Sequence, residues 1–343
     1  MRYPQESIEN KFKHLWCMVG NTPMLEIRYT YKGNEKHLFV KCEHYNLTGS
    51  IKDRMALYIL ENAYKAGLIH SENTIIEATS GNTGISFSAI GKALGNRVII
   101  IMPNWLSKER MDIIRSLGAE IILMTKEEGG FLGSIKKAEQ MAKEDNEIFL
   151  PRQFDNKYNI EAHEKTTAKE IWMQLQQVDL EPHAFVAGVG TGGTVMGVAA
   201  YFKKRNPNIL VCPLEQHESP TLSTGYKVGT HRIQGISDEF IPSIVKLDVL
   251  DHILKASDGD SIIMAQKLAR QLGLAVGISS GANIIGAIQL QNQLGDDANV
   301  VTIFCDSNKK YLSTDLMKEE SVKENYFSTD TEFIDYVPIS RMH

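Results

Sequence analysis

The feature that most constrains this chain is a repeated alternation of short apolar runs with amphipathic stretches. Residues 38–42, 74–78, 98–102, 121–124, 184–188, 209–214 and 300–305 are apolar with little polar alternation. Between them, 53–65, 85–94, 108–117, 133–142, 162–176, 194–204, 261–272 and 282–294 carry helical spacing. Strands without polar alternation, each followed by an amphipathic helix, predict parallel sheets covered on both faces. The fold class is therefore α/β. With 343 residues there is room for two domains or one large α/β unit. No repeat of fixed period interrupts the pattern. Residues 1–20 read as an amphipathic lead-in, and 315–343 turn acidic without clear periodicity, as a mobile tail or a strap across a partner would.

Charge and cysteine usage narrow the function. A net charge of −5 gives no footprint for nucleic acid, and no basic run suggests a membrane surface. No apolar run reaches the length of a membrane span, and the first residues lack the apolar core of a signal peptide. Cys17, Cys42, Cys212 and Cys305 show no paired spacing, and three of them lie in apolar strand-like runs. That usage predicts a reducing cytoplasm. His14 and Cys17 have no third ligand nearby, so packing explains them and no metal is expected.

Ligands in open parallel sheets bind beyond the carboxyl ends of the strands, and four turns of that kind carry chemistry. Lys52 lies in Asn46-Leu47-Thr48-Gly49-Ser50-Ile51-Lys52-Asp53-Arg54, between a strand and a helix start. A helix N-terminus and partial burial both favour the neutral amine, the form that attacks a carbonyl to make a Schiff base. Thr79-Ser80-Gly81-Asn82-Thr83-Gly84 also follows a strand and opens a helix. Its hydroxyls, amide and free N–H groups form an anion cradle suited to a carboxylate or a phosphate. Gly188-Val189-Gly190-Thr191-Gly192-Gly193-Thr194 repeats the arrangement with converging glycines. Gly188, Gly190 and Gly193 also satisfy a dinucleotide fingerprint, with Glu215 placed as the ribose-binding acid. A dinucleotide-binding oxidoreductase is thus an alternative, although Thr191 and Thr194 favour a monophosphate cup. In Gly277-Ile278-Ser279-Ser280-Gly281-Ala282 a serine either caps the helix or meets a ring nitrogen.

Taken together, these turns, with His163-Glu164-Lys165-Thr166-Thr167 and Tyr311-Leu312-Ser313-Thr314, resemble the cysteine synthase / cystathionine β-synthase family. These are pyridoxal phosphate (PLP) enzymes of fold type II, tryptophan synthase β-like. The resemblance runs in one order from about residue 19 to 314. It implies two subdomains, each a mostly parallel twisted sheet flanked by helices: 1–45 with 158–318 as the large PLP-binding part, 46–157 as a small mobile part, and 319–343 as a tail. It also implies a homodimer. Lys52 would hold the cofactor and shuttle the α-proton. Gly190, Thr191, Gly192, Gly193 and Thr194 would take its phosphate, Asn82 its ring hydroxyl and Ser279 its ring nitrogen. Thr79, Ser80, Asn82, Thr83 and Gln153 would bind the substrate, chiefly through its carboxylate. A neutral serine at the ring nitrogen makes the cofactor a weak electron sink and favours β-elimination and replacement.

The departures concern substrate choice. Relatives commonly have Asn-Pro-Gly-Gly where this chain has Asn46-Leu47-Thr48-Gly49. In Gly235-Ile236-Ser237-Asp238-Glu239, ordinary cysteine synthases carry small residues in place of the two acids. Asp238 would repel hydrosulfide anion and act as a base toward water or a neutral thiol. The default expectation is synthesis of cysteine from an O-activated serine and sulfide. The alternative consumes cysteine with water or a thiol, releasing hydrogen sulfide, as a small subgroup similar at this position does.

Overall fold

The computed structural model describes residues 7–236 and 239–342. Eleven strands fall into two sheets among these residues. They are β1 (Met24–Tyr31), β2 (Asn34–Cys42), β3 (Thr74–Ala78), β4 (Arg97–Pro103), β5 (Glu120–Met124), β6 (Ile148–Phe149), β7 (Ala184–Gly188), β8 (Leu210–Gln216), β9 (Leu254–Ala256), β10 (Val300–Phe304) and β11 (Thr331–Ile339). The larger sheet has the order β11-β1-β2-β10-β7-β8-β9, and the smaller β5-β4-β3-β6. From β2 to β9 the larger sheet is parallel, and so is the whole of the smaller one. All seven apolar runs fall in strands, and one buried on both faces, such as β4, carries its signal as unbroken hydrophobicity.

The antiparallel edge differs from the sequence expectation. β1 pairs with both β2 and β11, so much of the stretch read as a tail is an edge strand of the main sheet. Its register runs from Tyr31 opposite Thr331 to Met24 opposite Ile339, and Arg28 pairs with Asp335 across it. Thr331, Phe333 and Ile339 point inward, while Ile334, Tyr336 and Val337 remain exposed. The N-terminal helix Ile8–Trp16 also departs from the expected partition. Its Phe12 and Leu15 pack with Met55, Ile59, Phe87, Ile90 and Val98, in the layer beside the smaller sheet. An amphipathic helix goes where its apolar stripe finds cover, whatever its place in the chain.

A fully buried ionic cluster anchors the helix Lys52–Lys65 to the larger sheet. Arg54 donates to Glu43 at 2.6 and 2.8 Å and to Glu170 at 2.6 and 2.7 Å. Lys41 contacts Glu170 at 2.8 Å. Arg54 lies two residues from Lys52, so the cluster fixes the start of the helix that carries it. The expected helix over 162–176 is broken into Lys157–Ala162, a π-helical turn His163–Ala168, and Lys169–Gln176. Gly197 lets the next helix press on that turn, since a Cβ there would lie 2.6 Å from the Cβ of His163 and from the carbonyl oxygen of Ile160.

Candidate active site

The four turns meet in one cleft between the two sheets. Lys52, Ser80, Asn82, Thr83, Gln153, Gly190, Thr191, Thr194 and Ser279 line it together. Lys52 opens its helix and is half-buried. The preceding residue, Ile51, donates its N–H to the carbonyl of Cys305 at 3.0 Å, stitching the loop to the end of β10. Asp53 closes the loop from inside by accepting from the N–H and hydroxyl of Thr48 and from the Ser86 hydroxyl, each at 2.6 Å.

The loop 79–84 sits at the end of β3. Thr79 is buried and its hydroxyl accepts the N–H of Gly81 at 3.0 Å, so its side chain shapes the turn and does not line the cleft. Thr83 donates to Gln153 at 2.7 Å, and Gln153 donates to the carbonyl of Ala78 at 2.9 Å. Glu77 below receives the N–H of Gln153, and burial pushes its carboxyl up to about 8. Asn82 donates to Asp306 at 2.7 Å and accepts from Lys310 at 2.8 Å. Its amide is thereby oriented, with one N–H hydrogen still available.

The glycine-rich turn leads from β7 into the helix Gly193–Phe202. A Cβ on Gly190 would lie 2.5 Å from the carbonyl oxygen of Gly235, and one on Gly193 would lie 1.9 Å from Asn159. Gly192 has φ +84°. Only bare backbone fits, and bare backbone at a helix N-terminus is what an anion needs. Asn159 donates to the Thr191 hydroxyl at 2.9 Å. The Thr194 hydroxyl lies 3.4 Å from His163 Nε2, and His163 Nδ1 lies 2.9 Å from Thr167. Burial, with the nearby Lys52 and Arg54 charges, drops the His163 pKa to about 3, so its ring is neutral. On the opposite wall, Ser279 is the second residue of the helix Ile278–Leu294. Asn283 from that helix receives the N–H of Gly188 at 2.8 Å and locks the two turns together.

These residues fit a phosphorylated, carbonyl-bearing ring. A cup of bare glycine backbone flanked by Thr191 and Thr194, an amine and a serine at a helix start face one space. The same geometry removes the dinucleotide alternative. Glu215 is fully buried, accepting N–H bonds from Leu222 and Ser223 and bonding the Ser223 hydroxyl. Its carboxylate caps a local turn and cannot reach a ribose. Gly235 and Ile236 line the cleft, whereas Asp238 lies outside the described residues.

Sequence reasoning missed Arg110, Asn159, Asp306 and Lys310. Each is distant in sequence from the turn it supports, and only Lys310 adjoins a motif that had been singled out. His163 and Thr167 lay inside such a motif without an assigned task.

Comparison with known proteins agrees with this geometry. The sequence model of a family described as "Pyridoxal-phosphate dependent enzyme" matches residues 16–306. A cysteine synthase of Staphylococcus aureus is 40% identical over 299 residues, covering 87% of this chain and 95% of its own. The crystal structure of a hydrogen sulfide-producing enzyme from Fusobacterium nucleatum is 57% identical, with a TM-score of 0.93 over 96% of this chain and 99% of that one. An Asp-to-Asn variant of the same enzyme, complexed with an α-aminoacrylate intermediate, is 56% identical with a TM-score of 0.94 over 97% and 100%.

Proposed function

Since the chain belongs to the family of pyridoxal-phosphate dependent enzymes, we propose that it catalyses β-replacement on a three-carbon amino acid, consuming cysteine and releasing sulfide. The observation that carries the reaction class is the convergence of Lys52, the carboxylate-type loop and the glycine cup on one cleft. Bound there, the cofactor supplies an electron sink that acidifies the α C–H and lets a β-substituent leave.

Each side chain has a task in this reading. Lys52 Nζ would hold the cofactor through its aldehyde carbon and would carry the α-proton of the substrate. The backbone N–H groups of Gly190, Gly192 and Gly193 would hold the phosphate with the hydroxyls of Thr191 and Thr194. Neutral His163 adds no charge to the cup, and its Nε2 lies 3.4 Å from the Thr194 hydroxyl. Asn82, oriented by Asp306 and Lys310, would take the ring hydroxyl, and Ser279 would take the ring nitrogen. Ser80 and Thr83 with Gln153 take the substrate carboxylate, while Thr79 keeps the turn in shape. Binding at that loop favours closure and exclusion of water.

The direction of sulfur flow rests on two supports. Identity to the hydrogen sulfide-producing enzyme, 57%, exceeds identity to the Staphylococcus cysteine synthase, 40%. Asp238 also places an acid in the segment following Ile236, where a base for water or a thiol is needed. Cysteine synthesis is the second reading, favoured by the curated relatives. The proposal includes a homodimer and a cytoplasmic setting. An exposed apolar row on β11 and four free cysteines support these. The test is a panel of cysteine, O-acetylserine, O-phosphoserine and serine, followed by cofactor absorbance and sulfide. Sulfide and serine from cysteine are expected. Cysteine formed from O-acetylserine and sulfide, with no sulfide from cysteine, selects the second reading. Silence from all four substrates overturns both.

A further inference from the structure

Arg110, in the helix Lys108–Ser116, is 2% exposed and lines the cleft, yet none of the described residues explains its charge. Its Nε and Nη1 have no hydrogen-bond acceptor. Of the acids nearby, Glu109 holds Ser313 at 2.7 Å, and Asp306 holds Tyr311 at 2.8 Å and Asn82 at 2.7 Å through Oδ2, while its buried Oδ1 makes no hydrogen bond to Arg110 or to any other described residue. What touches the side chain is an aromatic ring and backbone. The guanidinium carbon sits 4.7 Å from the centre of the Tyr311 ring. Gly81 also packs against the side chain, where a Cβ would fall 2.5 Å from Arg110 Cδ and Nε. The cation is thus packed directly behind the loop 79–84, and glycine at 81 is what allows the approach.

Buried donors of a charged group are costly to leave unpaired, so a native chain that keeps them invites a functional account. We propose that Arg110 is a positioning residue, the fixed positive charge that makes the loop select a carboxylate over a neutral head group. The hydroxyl and N–H donors of the loop alone serve an amide oxygen almost as well as a carboxylate oxygen. A net charge behind them discriminates, because in a site shielded from water it acts across several ångströms. Tyr311 supports this arrangement by offering the face of its ring, which stabilises the cation without neutralising it. The inference deepens the function proposed above and rests on its assignment of the loop to the substrate carboxylate.

The test compares L-alanine with L-alaninamide, neither of which carries a β-leaving group. Each is titrated into the holoenzyme and binding is read from cofactor absorbance. Taking the ratio of affinities for each protein, and comparing ratios, cancels the different basicities of the two amines. Arg110→Gln and Arg110→Met, the latter keeping apolar packing on Tyr311, lower the carboxylate preference by on the order of tenfold, through weaker alanine binding. Arg110→Lys keeps the charge but gives up the planar stack on Tyr311, so its preference falls between those of the parent protein and the Met variant. Gln or Met variants that bind cofactor and retain the parent's preference overturn the proposal. So does a Lys variant that loses as much as the Met variant. A parent protein that responds to neither compound sinks the proposed function itself, and the unresponsive parent distinguishes that failure from the others.

Discussion

Replacing Arg54 with methionine tests how the helix bearing Lys52 is held. The side chain is fully buried and makes four bonds to carboxylates, with a fifth to the Thr22 hydroxyl at 3.3 Å. Burial alone would raise the pKa of Glu43 and Glu170, but Arg54, with Lys41, outweighs it and holds both below the usual carboxylate range. Methionine keeps the volume and removes the charge, leaving two buried carboxylates to share Lys41. Breaking one partner out of a buried pair costs about 3–5 kcal/mol. At roughly 2 °C per kcal/mol for a chain of this size, the melting temperature should fall by about 6–10 °C. The pH dependence is a sharper readout. A carboxylate whose folded pKa is depressed stabilises the fold fully above its unfolded pKa, near 4.3, and loses that contribution as pH falls further. In the variant the uncompensated carboxylate has a raised pKa, and it destabilises the fold increasingly as pH rises above that of the unfolded chain. The gap between the two proteins should therefore be wider at pH 8 than at pH 5. Thermal melts of both proteins across that range provide the assay. A gap under about 1 °C, or one that does not change with pH, would refute the argument that Arg54 acts as a charge.

Two further predictions bear on the cleft. Gly190→Ala drives a Cβ against the Gly235 carbonyl oxygen at 2.5 Å, so cofactor affinity should drop by about 1–3 kcal/mol, measured by absorbance after dialysis; unchanged retention would place the phosphate elsewhere. Asp238→Asn should slow sulfide-for-water or thiol exchange by at least about tenfold while the first half-reaction, followed by absorbance, proceeds at its normal rate. Equal rates in both halves would make Asp238 a bystander.

Much of the fold was legible because its parallel strands are buried on both faces. Residues 98–102 and 184–188 announce themselves as unbroken apolar runs. β1 and β11 escaped because they form the antiparallel end of the sheet, β11 at its edge and β1 beside it, where burial largely alternates along the strand. In β1, Ile27 and Tyr29 point inward between half-buried Glu26, Arg28 and Thr30, a period-two signal that a search for continuous runs passes over. The π-helical turn at His163–Ala168 escaped for another reason: it is set by the close approach of Gly197 from a different helix. The site divides along the same line. Motif residues that shape their own turns, such as Gly190 and Thr83, were visible. Arg110, Asn159 and Asp306 act across the fold, and nothing local marks them.

In the proposed function one amine, Lys52 Nζ, holds the cofactor. Borohydride reduction of the holoenzyme, digestion and mass spectrometry would locate the bond. A single pyridoxyl-phosphate adduct on Lys52 is expected, absent from Lys52→Ala along with the cofactor's absorbance and turnover. An adduct on another lysine, or full turnover in Lys52→Ala, would contradict it.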